Sequence, residues 1–413
     1  MKRRSVILIA VAWMLVLVGV GASALTLAVV NRQSGHGGLK LVSESDYEAI
    51  ERYRRLEEVR KTLSDEYYVP LDEDELVLGA IRGMMEAVDD PYTFYYTTEE
   101  LQQSNDEDAG VYHGVGMVVQ ITADGAIEVA RVYDGSPAQQ ASLQTGDRIV
   151  AVDGQDVSGE SAKTLNECVQ LVQGPDGTDV QLTIQRDGVE QTVTATRAEV
   201  SVSYAEYQIL DGGIGYLNIV QFTGNDVEGF TEALEAFKAA NVRGVVIDLR
   251  NNPGGLLDHV VAIADQVLPE GLITYVEDRH GNRQEEYADA DYWDVPMVVL
   301  VNGMSASASE LFTAAFQDDG RGTVVGTQTF GKGIVQTLIT FAEDGAGMQL
   351  TTASYYSPKG RSIHGTGVTP DVVVELDEDK WISTLDPDPE HDNQLAAALG
   401  ELEKLIAGQK QAA

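Results

Sequence analysis

The sequence predicts a multidomain α+β protein built around an α/β core, and three observations carry that reading. Beyond Ser201, apolar strand-like runs alternate with amphipathic helical ones, the order expected of a layered α/β core. From Val111 to about Arg197 the apolar runs are short, β-type and separated by turn residues. Helical periodicity brackets these two regions near both ends of the chain. At 413 residues there is length for two or three domains with their own cores.

Composition narrows the function classes. With 28 Lys+Arg against 66 Asp+Glu the net charge is −38, so nucleic acid and anionic lipid surfaces repel all but the basic N-terminus. Cys168 stands alone, which excludes an internal disulfide, a CxxC redox motif and a Cys-rich zinc site. Six histidines without an HExxH pattern argue against a metalloprotease.

Taken in order, the chain opens with Lys2, Arg3 and Arg4 before an uncharged, largely apolar run from Ser5 to Val30. That run is long enough to span a bilayer with its positive flank on the cytoplasmic side. It continues past Ala22-Ser23-Ala24, a small-x-small site, so it reads as an uncleaved anchor; a cleaved signal peptide is the alternative. In either case the rest of the chain lies outside the cytoplasm. A polar linker, Asn31 to Leu39, leads to helices predicted from Tyr47 to about Tyr68 and from about Glu73 to Val88, the second stopped by Asp89-Asp90-Pro91. These helices suit simple packing or a dimerisation arm, and both readings stay open. Gln103 to Gly110 is polar and acidic, a natural boundary.

Strands are expected at Ile127–Val132, Arg148–Val152 and Val180–Gln185, with one helix near Thr164–Gln170. In the α/β region, strands at Gly215–Val220, Val245–Leu249 and Met297–Val301 alternate with helices at Val227–Ala239, from about Leu256, and at Ser307–Phe316. Glu375 to Asp392 is acidic and broken by Pro387 and Pro389, and a last amphipathic helix runs from Leu395 to Ile406.

Four motifs carry chemistry. Tyr112-His113-Gly114-Val115-Gly116-Met117-Val118 is a Gly-x-Gly turn feeding a strand, able to present N–H groups to a carboxylate and an open edge to a peptide. Asp248-Leu249-Arg250-Asn251-Asn252-Pro253-Gly254-Gly255 is a strand end, a sharp turn and a helix start, where glycines let N–H groups approach a ligand. Val301-Asn302-Gly303-Met304-Ser305-Ala306-Ser307-Ala308-Ser309-Glu310 places hydroxyls at a helix N-terminus, where the dipole favours developing negative charge. Thr329-Phe330-Gly331-Lys332-Gly333-Ile334-Val335-Gln336 holds a lysine between glycines in an apolar setting, where it could give up its proton and serve as general base.

In this order, and with Ser136-Pro137-Ala138, Leu143 to Gly154, Asp90-Pro91-Tyr92-Thr93 and Gly367-Val368-Thr369-Pro370-Asp371, the motifs resemble the S41 group of C-terminal processing (tail-specific) peptidases with a bacterial-type PDZ domain. Two positions depart from the family's pattern: Ala141-Ser142 where it carries Ala-Gly, and Gln173 where it often has Arg.

The resemblance implies a crotonase-like (ClpP/crotonase-type) protease core with a PDZ β-sandwich and flanking helices. The corresponding segments are 1–31 anchor or signal, 32–104 helical region, 105–198 PDZ, 199–378 protease core and 379–413 acidic and helical tail. It also implies Ser307 as nucleophile, 25 positions before the general base Lys332, with Gln336 orienting the amine. Ser305 and Ser309 are the competing hydroxyls, with capping or packing roles. Oxyanion donors would be N–H groups of Ala308 and of Gly254 or Gly255, and residues 114–118 would bind a substrate C-terminus. No metal or organic cofactor is implied. His113, His280 and His364 read as incidental, and His259, near the glycine turn, would need a positioning carboxylate to join a triad.

The expected protein is thus a single-pass bacterial membrane protease, extracytoplasmic or secreted if its signal is cleaved. Its substrates would be proteins with exposed C-termini, and the terminal helices are candidates for homodimer contacts. A catalytically silent PDZ scaffold is the alternative.

Overall fold

The computed structural model describes residues 43–122, 125–133, 135–158, 165–201, 203–377 and 387–412. The apolar run Ser5–Val30 lies outside them, and among the described residues no helix is long and apolar enough to cross a membrane.

The chain divides into two compact units between Gly83 and Met84. The first holds α1 (Glu44–Glu66) and most of α2 (Glu73–Glu86). Arg60 ties the two helices, donating to Glu57 at 2.8 Å and to Glu73 at 2.5 Å. Along α1, Tyr47, Ile50, Tyr53, Leu56, Val59 and Leu63 recur every three or four residues and are all exposed.

The second unit opens with β1 (Phe94–Tyr96) and α3 (Thr98–Asp108). The sequence reads a polar boundary at Gln103–Gly110; the structure instead carries a helix to Asp108. Local chemistry explains it. Thr97 Oγ1 accepts from the Glu100 N–H at 3.2 Å and the Glu100 carboxylate accepts from the Thr97 N–H at 2.8 Å, a capping box, while Leu101 is buried.

A β-rich module follows: β2 (Val111–Gly114), β3 (Met117–Ile121), β4 (Ile127–Val132), α4 (Pro137–Gln140), β5 (Arg148–Val152), β6 (Gln155–Asp156), α5 (Leu165–Val172), β7 (Asp179–Arg186), β8 (Val189–Thr196) and β9 (Ala198–Ser201). Its sheet runs β3-β4-β5-β7-β8, antiparallel throughout, with β6 paired to β5, and β2 pairs with β9. Val129, Val152, Val180, Leu182 and Ile184 form its core with Cys168 of α5. Ser142 stands at φ +64°, a conformation glycine prefers, which is the position where the family pattern carries Gly. Its carbonyl is held by Arg186, which also pairs with the buried Asp147.

The remainder folds around two sheets. In chain order its elements are β10 (Ala205–Leu210), β11 (Ile214–Ile219), α6 (Asp226–Ala240), β12 (Gly244–Asp248), α7 (Leu257–Asp265), β13 (Gly271–Asp278), β14 (Arg283–Ala288), β15 (Met297–Val301), α8 (Ala308–Asp318), β16 (Thr323–Gly326), β17 (Ile334–Thr340), β18 (Gly347–Tyr356), β19 (Val372–Val373) and α9 (Asn393–Ala412). The first sheet runs β10-β11-β12-β15-β16-β19 and is parallel except for β10.

Both faces of that sheet are covered, which is why β12, up to Asp248 at its end, and β15 read as apolar runs. Ile247, Val299 and Val301 pack with Phe230, Phe237 and Phe312 on one face; Val246, Val298 and Leu300 pack with Leu395, Ala398, Leu402 and Ile406 of α9 on the other. The apolar face of the C-terminal helix is therefore spent within the chain. The second sheet, β1-β18-β13-β14 with β17 on β18, is antiparallel and was not foreseen: β14 is mostly exposed and polar, and β17 and β18 mix apolar with polar residues and are for the most part only half-buried.

A buried ionic cluster ties α9 to the sheet. Arg250, fully buried, forks onto Asp248 (2.6 Å) and reaches Asp392 (2.7 Å), whose carboxylate also caps α9 by accepting from the N–H groups of Gln394 and Leu395. Tyr216 Oη donates to Asp248 at 2.7 Å. Asp392→Ala leaves Arg250 paired with Asp248 but removes its second carboxylate and the cap of α9, and should lower unfolding free energy by roughly 2–4 kcal/mol. Chemical denaturation measures this; a loss below about 1 kcal/mol would mean that the cluster does not hold α9.

Candidate active site

The carboxyl ends of β12 and β15 place two of the motifs side by side. After β15 the chain turns through 302–307 into α8, and Ser307 caps that helix at φ +54°, ψ −114°, a strained conformation for a residue with a Cβ. After β12 the turn 249–255 is stitched to it. Ser305 Oγ donates to the Leu249 carbonyl at 2.7 Å, the Ala306 N–H to the Asn252 carbonyl at 3.0 Å, and Ser309 Oγ to the same carbonyl at 3.0 Å. Asn251 and Asn302 also bond to each other. Ser305 and Ser309 are both fully buried and spend their hydroxyls on this stitching, which leaves Ser307 as the half-exposed one.

The two glycines are required where they stand. At Gly254 (φ +104°) a Cβ would come within 2.7 Å of the Ser307 Cβ and 2.9 Å of the Ala308 nitrogen; at Gly255 (φ +144°) it would lie 2.1 Å from the Phe222 carbonyl oxygen. Their N–H groups differ. That of Gly254 donates to Asn252 Oδ1 at 2.8 Å, whereas no loop or side-chain acceptor among the described residues takes that of Gly255 or Ala308.

Lys332 comes from the loop before β17. What holds this loop against Ser307 is Glu310, fully buried in the first turn of α8. One carboxylate oxygen accepts from the Ser307 N–H (2.9 Å) and the Lys332 N–H (2.7 Å); the other accepts from the Gly331 N–H (2.6 Å) and Thr329 Oγ1 (2.5 Å). From the opposite side, the buried hydroxyl of Tyr355 on β18 bonds the carbonyls of Ser307, at 2.7 Å, and Lys332. Burial, reinforced by the Glu310 charge, pushes the Tyr355 phenol well above its usual range, so it stays a donor.

The Lys332 amine is half-buried, and desolvation lowers its pKa from the ordinary lysine value against the opposing charge of Asp90. It lies over the Tyr92 ring, 4.2 Å from the centroid. No hydrogen bond among the described residues joins it to Ser307 Oγ or to Gln336. The Gln336 amide donates to Thr351 Oγ1 at 3.3 Å, at a β-bulge where the pairing of β17 with β18 passes over Thr352.

His259 does have a carboxylate: its Nδ1 lies 2.5 Å from Asp226 Oδ1. Burial, partly offset by that hydrogen bond, raises the Asp226 carboxyl to about 6. The pair joins the start of α6, at Asp226, to the first turn of α7, at His259, and no described hydrogen bond links it to a serine. His113 bonds Asp176 at 2.9 Å on the surface of the β-rich module.

In that module Gly116 is at φ +77°, where a Cβ would meet the Ser136 Cβ at 2.5 Å. Gly114, Val115, Gly116, Met117 and Val118 line a cavity of about 330 Å³ with Val169, Val172 and Gln173, and with Tyr204, Val220 and Gln221 of the core. The next residue, Phe222, donates its N–H to the Gly254 carbonyl at 2.8 Å, so this cavity and the glycine turn share one short segment.

Sequence reasoning missed Glu310, Tyr355, Thr329, Asn252 and Tyr92. Only Glu310 had a local signal, the Ser-x-x-Glu spacing of a helix start at 307–310. Glu310→Gln puts an amide N–H₂ against donors; kcat/KM should fall about 100-fold or more, since the two segments lose their common anchor. Near-wild-type turnover by Glu310→Gln would refute this role.

Comparison with known proteins points one way. The pattern of peptidase family S41 matches residues 213–374, that of the PDZ domain 128–186, and that of the "activating protease CtpB N-terminal domain" 16–100. The carboxy-terminal-processing protease of Bartonella bacilliformis is 36% identical over 345 residues, covering 81% of this chain and 78% of the relative. The carboxy-terminal processing protease CtpA of Bacillus subtilis is 32% identical over 379 residues, covering 91% and 79%. A solved structure from Bacteroides fragilis assigned to the S41 proteases superposes with a TM-score of 0.55 at 19% identity, covering 85% of this chain and 97% of that one, a likeness of fold.

Proposed function

We propose a mechanism and a setting for this chain, which belongs to peptidase family S41 and is a C-terminal processing serine protease with a PDZ domain. Ser307 is the nucleophile and Lys332 the general base. The observation that carries this reading is the Glu310 carboxylate, which bonds the backbone of both residues at once. The depressed pKa of the lysine fits the role, since only the neutral amine accepts a proton.

The Lys332 amine leaves the Tyr92 ring and takes the Ser307 hydroxyl proton as Oγ attacks the peptide carbonyl; such contacts tighten on substrate binding. The oxyanion is met by the N–H groups of Ala308 and Gly255, because that of Gly254 is occupied. Collapse passes the proton from Lys332 to the leaving amine and leaves an acyl-ester on Ser307. Lys332 then deprotonates water, which releases the product and regenerates the hydroxyl. Gln336 turns from Thr351 to orient the amine in the assembled site.

The core is of crotonase-like type, with the PDZ domain preceding it. The cavity at Gly114–Val118 takes the exposed C-terminus of a protein substrate as an added strand along β3. The N-terminal apolar run anchors the protein in a bacterial cell membrane with the catalytic domains outside the cytoplasm. The exposed apolar row of α1 is the surface for homodimer contacts.

The full chain, incubated with an unstructured protein, should cleave it. Ser307→Ala and Lys332→Ala should each lower cleavage at least about 10³-fold. Ser305→Ala should keep the chemistry and lose roughly 1–3 kcal/mol of stability, because it removes the hydroxyl that accepts from the Asn302 N–H and one of the two donors to the Leu249 carbonyl. Activity should rise with pH as the depressed Lys332 pKa is passed, since deprotonation creates the base. Unimpaired cleavage by Ser307→Ala would refute the assignment; no cleavage by the parent would favour a silent PDZ scaffold.

A further inference from the structure

We infer that Tyr92 is a positioning residue for the base: its ring face seats the protonated Lys332 amine away from Ser307, and deprotonation frees the amine for the nucleophile. The inference rests on the assignment of Lys332 as base and adds a residue to it. The amine, 4.2 Å from the ring centroid, is within cation–π range, and no hydrogen bond among the described residues competes for it.

The backbone that carries the ring is held in place by its own loop and by β18. The Asp90 carboxylate accepts from the Tyr92 N–H at 3.0 Å and from Thr93 Oγ1 at 2.7 Å. Gln349 donates to the Tyr92 carbonyl at 3.2 Å, and the Thr351 N–H to Thr93 Oγ1 at 3.1 Å. Thr351 is also the residue that takes the Gln336 amide, so the glutamine rests on the same support as the ring.

The charges around the amine leave this seat as its anchor. Asp90 is the carboxylate whose charge acts on it, and that carboxylate is engaged by the loop. Glu310 is saturated by its four donors, and the Tyr355 hydroxyl is directed at the Ser307 and Lys332 carbonyls. On the far side, the His364 backbone packs on Gly333. The ring quadrupole attracts a cation and is indifferent to a neutral amine. Loss of the proton to solvent therefore removes the attraction and supplies the free base in one event. Burial of the amine favours that loss and the Asp90 charge opposes it.

The test is the pH dependence of kcat/KM for the full chain and for Tyr92→Phe, Tyr92→Leu and Tyr92→Trp, which reports titration in the free enzyme. Phe keeps the ring face and should leave the acidic limb in place. Leu should move it down by about half a pH unit, and Trp, the stronger π-face, up by a few tenths. A limb fixed in both Leu and Trp variants, or shifted as far by Phe as by Leu, would overturn the inference. If the Leu variant shows no cooperative melting, the Phe and Trp pair decides. Lys332→Ala separates the two assignments: residual wild-type activity defeats Lys332 as base. An inactive Lys332→Ala beside a fixed limb defeats the role of Tyr92 alone.

Discussion

The buried carboxylate of Glu310 is the interaction on which the site depends. A carboxyl group with no exposure is tolerated only when its oxygens are bonded, and here four donors from two distant segments converge on it. Because three of the four are backbone N–H groups, the carboxylate fixes chain path as well as side-chain position. The strained dihedrals of Ser307 persist because Glu310 holds its nitrogen and Tyr355 its carbonyl. The same two groups grip the nitrogen and carbonyl of Lys332. Ser307 and Lys332, the proposed nucleophile and base, thus hang from one clamp, and only their side chains remain to be brought together.

The clamp sits where two sheets meet. The parallel sheet delivers Ser307 and the glycine turn from the ends of adjacent strands, and the side chains of Asn251, Asn302, Ser305 and Ser309 with the Asn252 carbonyl stitch the two turns into one surface. Behind that surface, Arg250 carries the restraint through Asp248 and Asp392 to α9. The antiparallel sheet supplies Tyr355, the Lys332 loop and, through β1, the Asp90–Thr93 loop. The cavity at Gly114–Val118 borders this arrangement through Val220 and Gln221, one residue before the contact of Phe222 with Gly254.

What the sequence disclosed follows from how local each signal is. Strands β12 and β15 were legible because burial on both faces leaves apolar runs, broken in β12 only by Asp248 at its end, and the Ser307 turn and the glycine turn because each is a contiguous motif at a strand end. The PDZ module was legible from ordered turn motifs, even with Ser142 in a glycine-like conformation. Tyr355 and Tyr92 were not, since each reaches residues far away in sequence from, or beside, strands that are half-buried, and Thr329 meets Glu310 from a loop 19 residues on. The helix through Gln103 was hidden because its composition is that of a linker; only the Thr97–Glu100 cap and Leu101 mark it. The carboxylate beside His259 was likewise invisible, because Asp226 is 33 residues away.

The most direct test of the central claim is mass spectrometry of the full chain after reaction with a serine-directed fluorophosphonate, followed by peptide mapping. A hydroxyl activated by the clamped lysine should yield one adduct, on Ser307, forming faster as pH rises. Modification of Ser305 or Ser309 instead, or no adduct in a preparation that cleaves protein, would contradict the account.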